Sequence, residues 1–287
     1  MPKFYQKEEL KKIQEYELSI LDDFTQLCDE NGIRYFGIAG TGLGARRHGG
    51  FIPWDDDIDI ALPRADYEKA LSLVEEKLGD RYYVLDAQRC SNYPLMTARI
   101  CIRNTKFVEE AFKDVDDCPL GIFLDVYPYD NLADDGAAYT AQVMTAWFWS
   151  KLLILRTIKK PYLSQTGFKA KIISAACLLA HYTLRIFNVS HEKLYRRCLR
   201  ACTRYNNRRT KRFGFPADTD PNWNTLYKSK VFPTRKWNFE GRKINFPRDM
   251  HSMLTQIYGD TYMQLPPKEK QKTHYPHILD FGDGTGR

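Results

Sequence analysis

The chain has 287 residues, 43% hydrophobic and 28% charged. That length suits one large domain or two small ones, and the composition excludes disordered and fibrous classes. The 43 Lys and Arg exceed the 36 Asp and Glu by seven, but the excess is local. Arg196, Arg197, Arg200, Arg204, Arg208, Arg209, Lys211 and Arg212 crowd one acid-free stretch, outside which 35 basic residues face 36 acidic ones. The chain therefore reads as a near-neutral body with one cationic segment. Seven widely spaced cysteines with no Cys-x-x-Cys indicate neither a disulfide framework nor a zinc ribbon. Cys198 and Cys202, with His191 upstream, lack a fourth ligand and read as helix packing. The N-terminus is charged and shows no signal-peptide run. The apolar stretch 172–184 is shorter than the ~20 residues that span a bilayer. The expectation is a reduced, cytoplasmic protein.

In chain order, Leu10, Ile13, Glu17, Ile20, Leu21, Phe24, Leu27 and Cys28 recur at three-to-four spacing, and Asn31-Gly32 supplies a stop. The pattern predicts an amphipathic helix. Residues 33–39 read as a strand running into a helix start at Gly40-Thr41-Gly42. Ile58, Ile60 and Leu62 alternate with Asp57, Asp59 and Ala61, the pattern of a half-buried strand. Tyr67, Ala70, Leu71, Val74 and Leu78 make a helix ended by Gly79. Residues 82–85 and 99–103 read as strands. In 122–127, Ile122, Leu124 and Val126 face one way while Phe123, Asp125 and Tyr127 face the other. After Asp134-Asp135-Gly136 the text turns helical through about residue 212; Trp147-Phe148-Trp149, residues 152–155 and the 172–184 stretch are expected to form a buried helical pair, the alternative being a surface that leans on lipid. Short strand signals return from Val231, followed by a helix near 250–258 and a Pro-rich aromatic tail. The expected organisation is a core over 1–135, a helical region over 136–225, and a part over 226–287 that rejoins the core.

Trp54-Asp55-Asp56-Asp57-Ile58-Asp59-Ile60 carries the chemistry. Residues i and i+2 of a strand share a face, so Asp57 and Asp59 project together while Ile58 and Ile60 enter the core. Paired carboxylates repel unless a hard cation neutralises them, and Mg²⁺ favours carboxylate oxygens together with substrate phosphates. Asp125 repeats the arrangement on another strand, so three acids can build a two-metal site for phosphoryl chemistry. A calcium loop fails because its sixth position, which needs Gly, holds Ile60. An Asp-x-Asp glycosyltransferase is the rival reading, though only 56 residues precede Asp57. Gly40 and Thr41 at a helix start offer free N–H groups and a hydroxyl to a phosphate.

The run from Gly42 through His48-Gly49-Gly50-Phe51-Ile52-Pro53-Trp54 to Ile60 strongly resembles the LicD family, which includes fukutin-like proteins. Pro63-Arg64-Ala65-Asp66-Tyr67, Phe123-Leu124-Asp125-Val126-Tyr127-Pro128 and Tyr258-Gly259-Asp260-Thr261-Tyr262 carry the resemblance further. It covers roughly residues 15–130 and 230–285 and leaves the central helices unmatched. One departure is Ala39 before Gly40-Thr41, where relatives often have Gly.

The resemblance implies an α+β nucleotidyltransferase-like mixed sheet with flanking helices and an inserted helical region. It also implies transfer of a phospho-alcohol, typically phosphocholine, from CDP-choline or another CDP-alcohol. The acceptor would be a hydroxyl of a cell-surface glycan, teichoic acid or lipopolysaccharide precursor, lipid-linked in some cases. Asp57, Asp59 and Asp125 would hold Mg²⁺ or Mn²⁺, with Asp125 also taking the acceptor proton. Arg47, His48, Arg99 and Arg103 are candidate phosphate contacts. Trp54, Tyr127 and Tyr129 are candidates for an aromatic cage around a quaternary ammonium. His274-Tyr275-Pro276-His277 is expected to close over the site. Residues 196–212 are expected to dock on anionic headgroups or an anionic glycan. Nucleic acid is the weaker partner, because Tyr205 alone interleaves those arginines.

Overall fold

The computed structural model describes residues 5–161, 167–271 and 273–286. Helix α1 (Lys7–Glu30) buries Ile13, Glu17, Ile20, Leu21, Phe24, Leu27 and Cys28, the stripe that the spacing singles out apart from Leu10. It ends in a left-handed cap: Gly32 sits at φ +63°, Ile33 N donates to Cys28 O (2.9 Å), and Gly32 N donates to Asp29 O (3.5 Å).

The expected strand over 33–39 shortens to β1 (Phe36–Gly37), because the chain already turns into α2 (Ala39–Arg47). Next come β2 (Asp59–Pro63), α3 (Arg64–Lys77), β3 (Tyr82–Leu85), β4 (Ala98–Ile102), β5 (Lys106–Glu109) and β6 (Phe123–Leu132). The central segment holds α4 (Gly136–Thr157), α5 (Gly167–Ile186) and α6 (His191–Cys202). It returns through β7 (Arg212–Gly214) and β8 (Thr225–Tyr227). The chain closes with α7 (Lys228–Val231), β9 (Arg235–Phe239), β10 (Arg242–Phe246), α8 (Met250–Tyr258) and β11 (Pro276–Asp280).

The main sheet runs β1-β2-β6-β4-β3, and β7 and β8 join it through β6. Only β2 and β6 pair in parallel; the other pairings in this sheet are antiparallel. A mixed sheet with helices packed around it is an α+β fold. Ile60, Leu62, Leu124 and Val126 lie in its core with Phe24 and Ile20 of α1.

The helical reading through residue 212 fails in its last part. After a single turn at Thr203–Tyr205 the chain is taken by the sheet. Asn206 then joins the chain to the sheet: its Oδ1 accepts from Asn131 N (2.8 Å) and its Nδ2 donates to Asp130 (2.7 Å). The basic run is therefore divided between α6, a loop and β7 rather than forming one cationic helix. Gln142 bolts the helical layer to the sheet, accepting from Ala133 N and donating to Asn131 O and Cys202 O. Trp147 and Trp149 are half-buried, whereas Phe148 is exposed against the expectation of burial.

At the start of α3, Arg64 makes a two-pronged contact with the fully buried Asp130 (2.9 and 2.6 Å), clamping the end of β2 to β6. Removing one member leaves a buried charge without its counter-ion. Arg64→Leu is expected to cost about 3 kcal/mol, read as a lower urea midpoint at unchanged m-value. A loss below about 1 kcal/mol would show that Asn206 alone satisfies Asp130.

Candidate active site

The parallel register places Asp59 of β2 directly beside Asp125 of β6. Asp57 stands two residues ahead of Asp59, in the extended lead-in to β2 rather than on the strand itself. Oxygens of Asp57, Asp59 and Asp125 all lie within 4.8 Å of one another. The turn into α2 is fastened to the same strand: Asp59 N donates to Thr41 Oγ1 (2.8 Å) and Ile38 N to Asp59 O (3.1 Å). Thr41 is thus buried with its oxygen accepting a strand N–H, a structural duty absent from the sequence reading. Gly40 is also explained by the acids, since a Cβ there would meet Asp55 Oδ2 at 2.7 Å.

A second cluster adjoins the first. His274, arriving from the tail, donates its backbone N–H to both Asp56 oxygens (3.0 and 3.1 Å). Its Nδ1 lies 3.3 Å from Asp56 and 3.3 Å from Asp57. Tyr5 adds a hydroxyl donor to Asp56 at 2.5 Å and packs its ring on Tyr275, with centroids 5.0 Å apart. The tail therefore does reach the acids, and β11 anchors it by pairing with β5.

Arg99 is the register partner of Asp125 on β4. Its Nε donates to Asp125 Oδ1 (3.1 Å), and its other nitrogens fork onto Glu109 (2.5 and 3.1 Å). The guanidinium also stacks on Phe123 at 3.7 Å and is buried. It is occupied as a brace for Asp125, which corrects its reading as a phosphate contact. Arg103 lies beyond the end of β4, bonded to Gly79 O (2.6 Å), and the fold does not bring it to the acids. Tyr129 is core: its hydroxyl donates to Asn224 (2.7 Å) and its ring packs on Phe36 and Phe213. Tyr127 packs against Phe215 near Asp59 and Asp125, while Trp54 is half-buried against the core. Arg47 donates to Tyr262 O (2.8 Å), Gln264 O (3.1 Å) and His48 Nε2 (2.9 Å), so it straps the C-terminal motif to α2. His48 is exposed.

Burial pushes Asp57 up to about 6, with His274 opposing and Asp56 and Asp125 reinforcing. Asp59 rises through burial and then through the charge of Asp57 and Asp125. Asp125 is also raised by burial, against the pull of Arg99. His274 is raised in turn, chiefly by Asp57. Sequence reasoning missed Glu17, which α1 buries beneath the cluster. Burial and then Asp57 hold its carboxyl above the usual range, and its Oε2 has no partner among the described residues. The signal was an acid on the apolar stripe of α1. Tyr258 was also missed; Asp59, Asp55 and Asp57 add to burial in raising its hydroxyl. Three mutually repelling, hard oxygen donors fit a divalent cation of the Mg²⁺ kind.

Residues 32–142 match the family described as "LicD/FKTN/FKRP, nucleotidyltransferase domain". That segment is similar to LicD-family nucleotidyltransferase domains. The chain is 28% identical over 263 residues to the lipopolysaccharide cholinephosphotransferase LicD of Haemophilus influenzae, covering 90% of this chain and 92% of that protein. An uncharacterized protein of Rickettsia prowazekii is 28% identical over 187 residues, 56% of this chain and 66% of that one. At 90% coverage the similarity to LicD also enters the central helices, which the sequence reading left unmatched. Within the matched segment, Ala39 takes φ +44°, the left-handed region that a Gly would adopt without strain.

Two outcomes follow from this geometry. Ala39→Gly is expected to stabilise the protein by about 0.5–1 kcal/mol, as relief of left-handed strain outweighs the added chain entropy; a lower melting temperature would contradict it. The raised acids and raised His274 make the metal-free folded state bind more protons than the unfolded chain. Their stabilisation is present at low pH and lost as pH rises through the folded-state values, with Asp57 titrating at about 6. Melting in a chelator should therefore occur at lower temperature at pH 8 than at pH 6, and added Mg²⁺ should help more at pH 8. Equal Mg²⁺ effects at the two values would contradict the assigned cluster.

Proposed function

We propose that the protein transfers phosphocholine from CDP-choline, or a related CDP-alcohol, to a hydroxyl of a cell-surface glycan precursor, releasing CMP. The observation that carries this reading is the convergence of Asp57, from the lead-in to β2, with the register pair Asp59 and Asp125, in a domain related to a cholinephosphotransferase. Asp57 and Asp59 would hold Mg²⁺ or Mn²⁺, which when bound supplies charge neutralisation for the donor diphosphate. Asp125 offers the oxygen that Arg99 leaves free as acceptor for the proton of the attacking hydroxyl. The hydroxyl oxygen bonds to the choline-bearing phosphorus as the bond to the CMP oxygen breaks. His274 holds Asp56 and Asp57 in place from above, and Arg99 fixes the rotamer of Asp125. Tyr127 and Trp54 are the aromatic surfaces we assign to the trimethylammonium group. A lipid-linked acceptor would meet the anionic-headgroup contact proposed for residues 196–212.

Incubation with CDP-choline, Mg²⁺ and glycan acceptors is expected to release CMP. Asp59→Asn should lower the rate at least ~10³-fold, as loss of several kcal/mol of charge stabilisation requires. Consumption of a sugar nucleotide with every CDP-alcohol untouched would overturn the reading in favour of glycosyl transfer. Arg99→Met should lower kcat ~10- to 100-fold with KM little changed, the signature of a positioning residue. A change in KM alone would instead return Arg99 to the phosphate.

A further inference from the structure

Over its twenty residues α5 buries only His181 and Leu184, and His181 Nδ1 lies 2.7 Å from Leu155 O of α4. The opposite side is apolar and open. Phe168 is 78% exposed, Leu179 71% and Ile186 78%, with Ile172 and Tyr182 between them and Phe187 at the end. At 3.6 residues per turn, Phe168, Ile172, Leu179, Tyr182 and Ile186 lie within ~40° of one line along the helix. Cations flank this stripe: Lys169 on one side, Lys171 and Arg185 on the other. From residue 136 to residue 191 the chain contains no acid at all.

An apolar stripe edged only by cations matches an anionic bilayer surface, where acyl chains lie beneath negative headgroups. A second copy of the chain would bring the same cations face to face, so self-association through this stripe is opposed by its own charge. Spanning is also excluded for α5: no single helix among the described residues is long and apolar enough. The pair α5 and α6, bent by 117°, has the length and composition of a broken span, but α6 commits Leu194, Cys198, Ala201 and Cys202 to the core, which leaves α5 as the exposed member.

We propose that α5 lies flat in the interface of an anionic membrane, with the Phe168-to-Ile186 stripe entering the acyl boundary. Lys169, Lys171 and Arg185 then sit at headgroup level. This stands apart from the catalytic reading, and it places the apolar part of membrane contact on α5 rather than on residues 196–212. The test is co-sedimentation of the full chain with vesicles of phosphatidylcholine alone and of phosphatidylcholine mixed with phosphatidylglycerol. Wild type should bind the mixed vesicles, and Leu179→Glu combined with Ile186→Glu should lower that partition at least ~tenfold. Both positions are exposed, so circular dichroism and CMP release with a water-soluble acceptor should be unchanged. Equal binding by the double variant, or no binding by wild type, overturns the proposal. A lipid-free dimer that the double variant dissolves overturns it as well.

Discussion

Repulsion among buried carboxylates is the constraint around which the rest of the site is arranged. Asp59 and Asp125 would separate if their backbones allowed it, and the parallel β2–β6 pairing does not; Asp57 is held beside them by the chain two residues ahead of β2. The fold adds opposing charge where it can: Arg99 from β4 beside Asp125, and His274 from the tail beside Asp56 and Asp57. These two cations still leave the acids raised by burial. The protein thus holds a preorganised deficit of positive charge, which a bound divalent cation would fill.

Sequence-distant segments converge to keep that arrangement. The hairpin of β9 and β10 turns through Glu240 and Gly241, both at positive φ. Glu240 accepts Phe51 N (3.0 Å) and donates its own N–H to Gly49 O (3.0 Å), so the loop before the acids is pinned from the far end of the chain. α8 leans on α2 at Gly42, where a Cβ would meet Met253 at 2.8 Å. Arg47 ties the C-terminal motif to the end of the same helix. The C-terminal segment and the loop before the acids thus pack as one physical unit around α2.

What could be read from the sequence follows from how local each signal is. The stripe of α1, the cap at Asn31-Gly32, the residues of β3 and the acids at 57, 59 and 125 are set by period and turn chemistry within a few positions. Burial of Glu17 was legible as an acid on an apolar stripe, but not its place under the aspartates, which depends on how α1 crosses the sheet. Arg99 shows the same limit: a strand arginine looks the same whether it waits for a phosphate or forks onto Glu109. Only the antiparallel register with β6 and the approach of β5 decide between the two. The basic segment misled for a related reason, because composition cannot register that the helix stops at Cys202 and Asn206 then bonds to β6.

Charge and apolar surface also separate differently in space than along the chain. In the sequence, the cationic excess at 196–212 is the conspicuous feature and the apolar stretch before it resembles core. In the fold, α6 turns its apolar side inward, and its guanidinium groups are partly occupied by neighbours, such as Arg197 over Trp149 and Arg196 beside Glu192. α5 instead leaves its hydrophobic side outward, with two lysines and one arginine at its edges. Burial of the His181 face on α4 is enough to order the helix without covering that surface. An exposed apolar stripe of this length carries a standing cost in water. A bilayer surface removes that cost, whereas packing more of the stripe against α4 would bury its flanking cations.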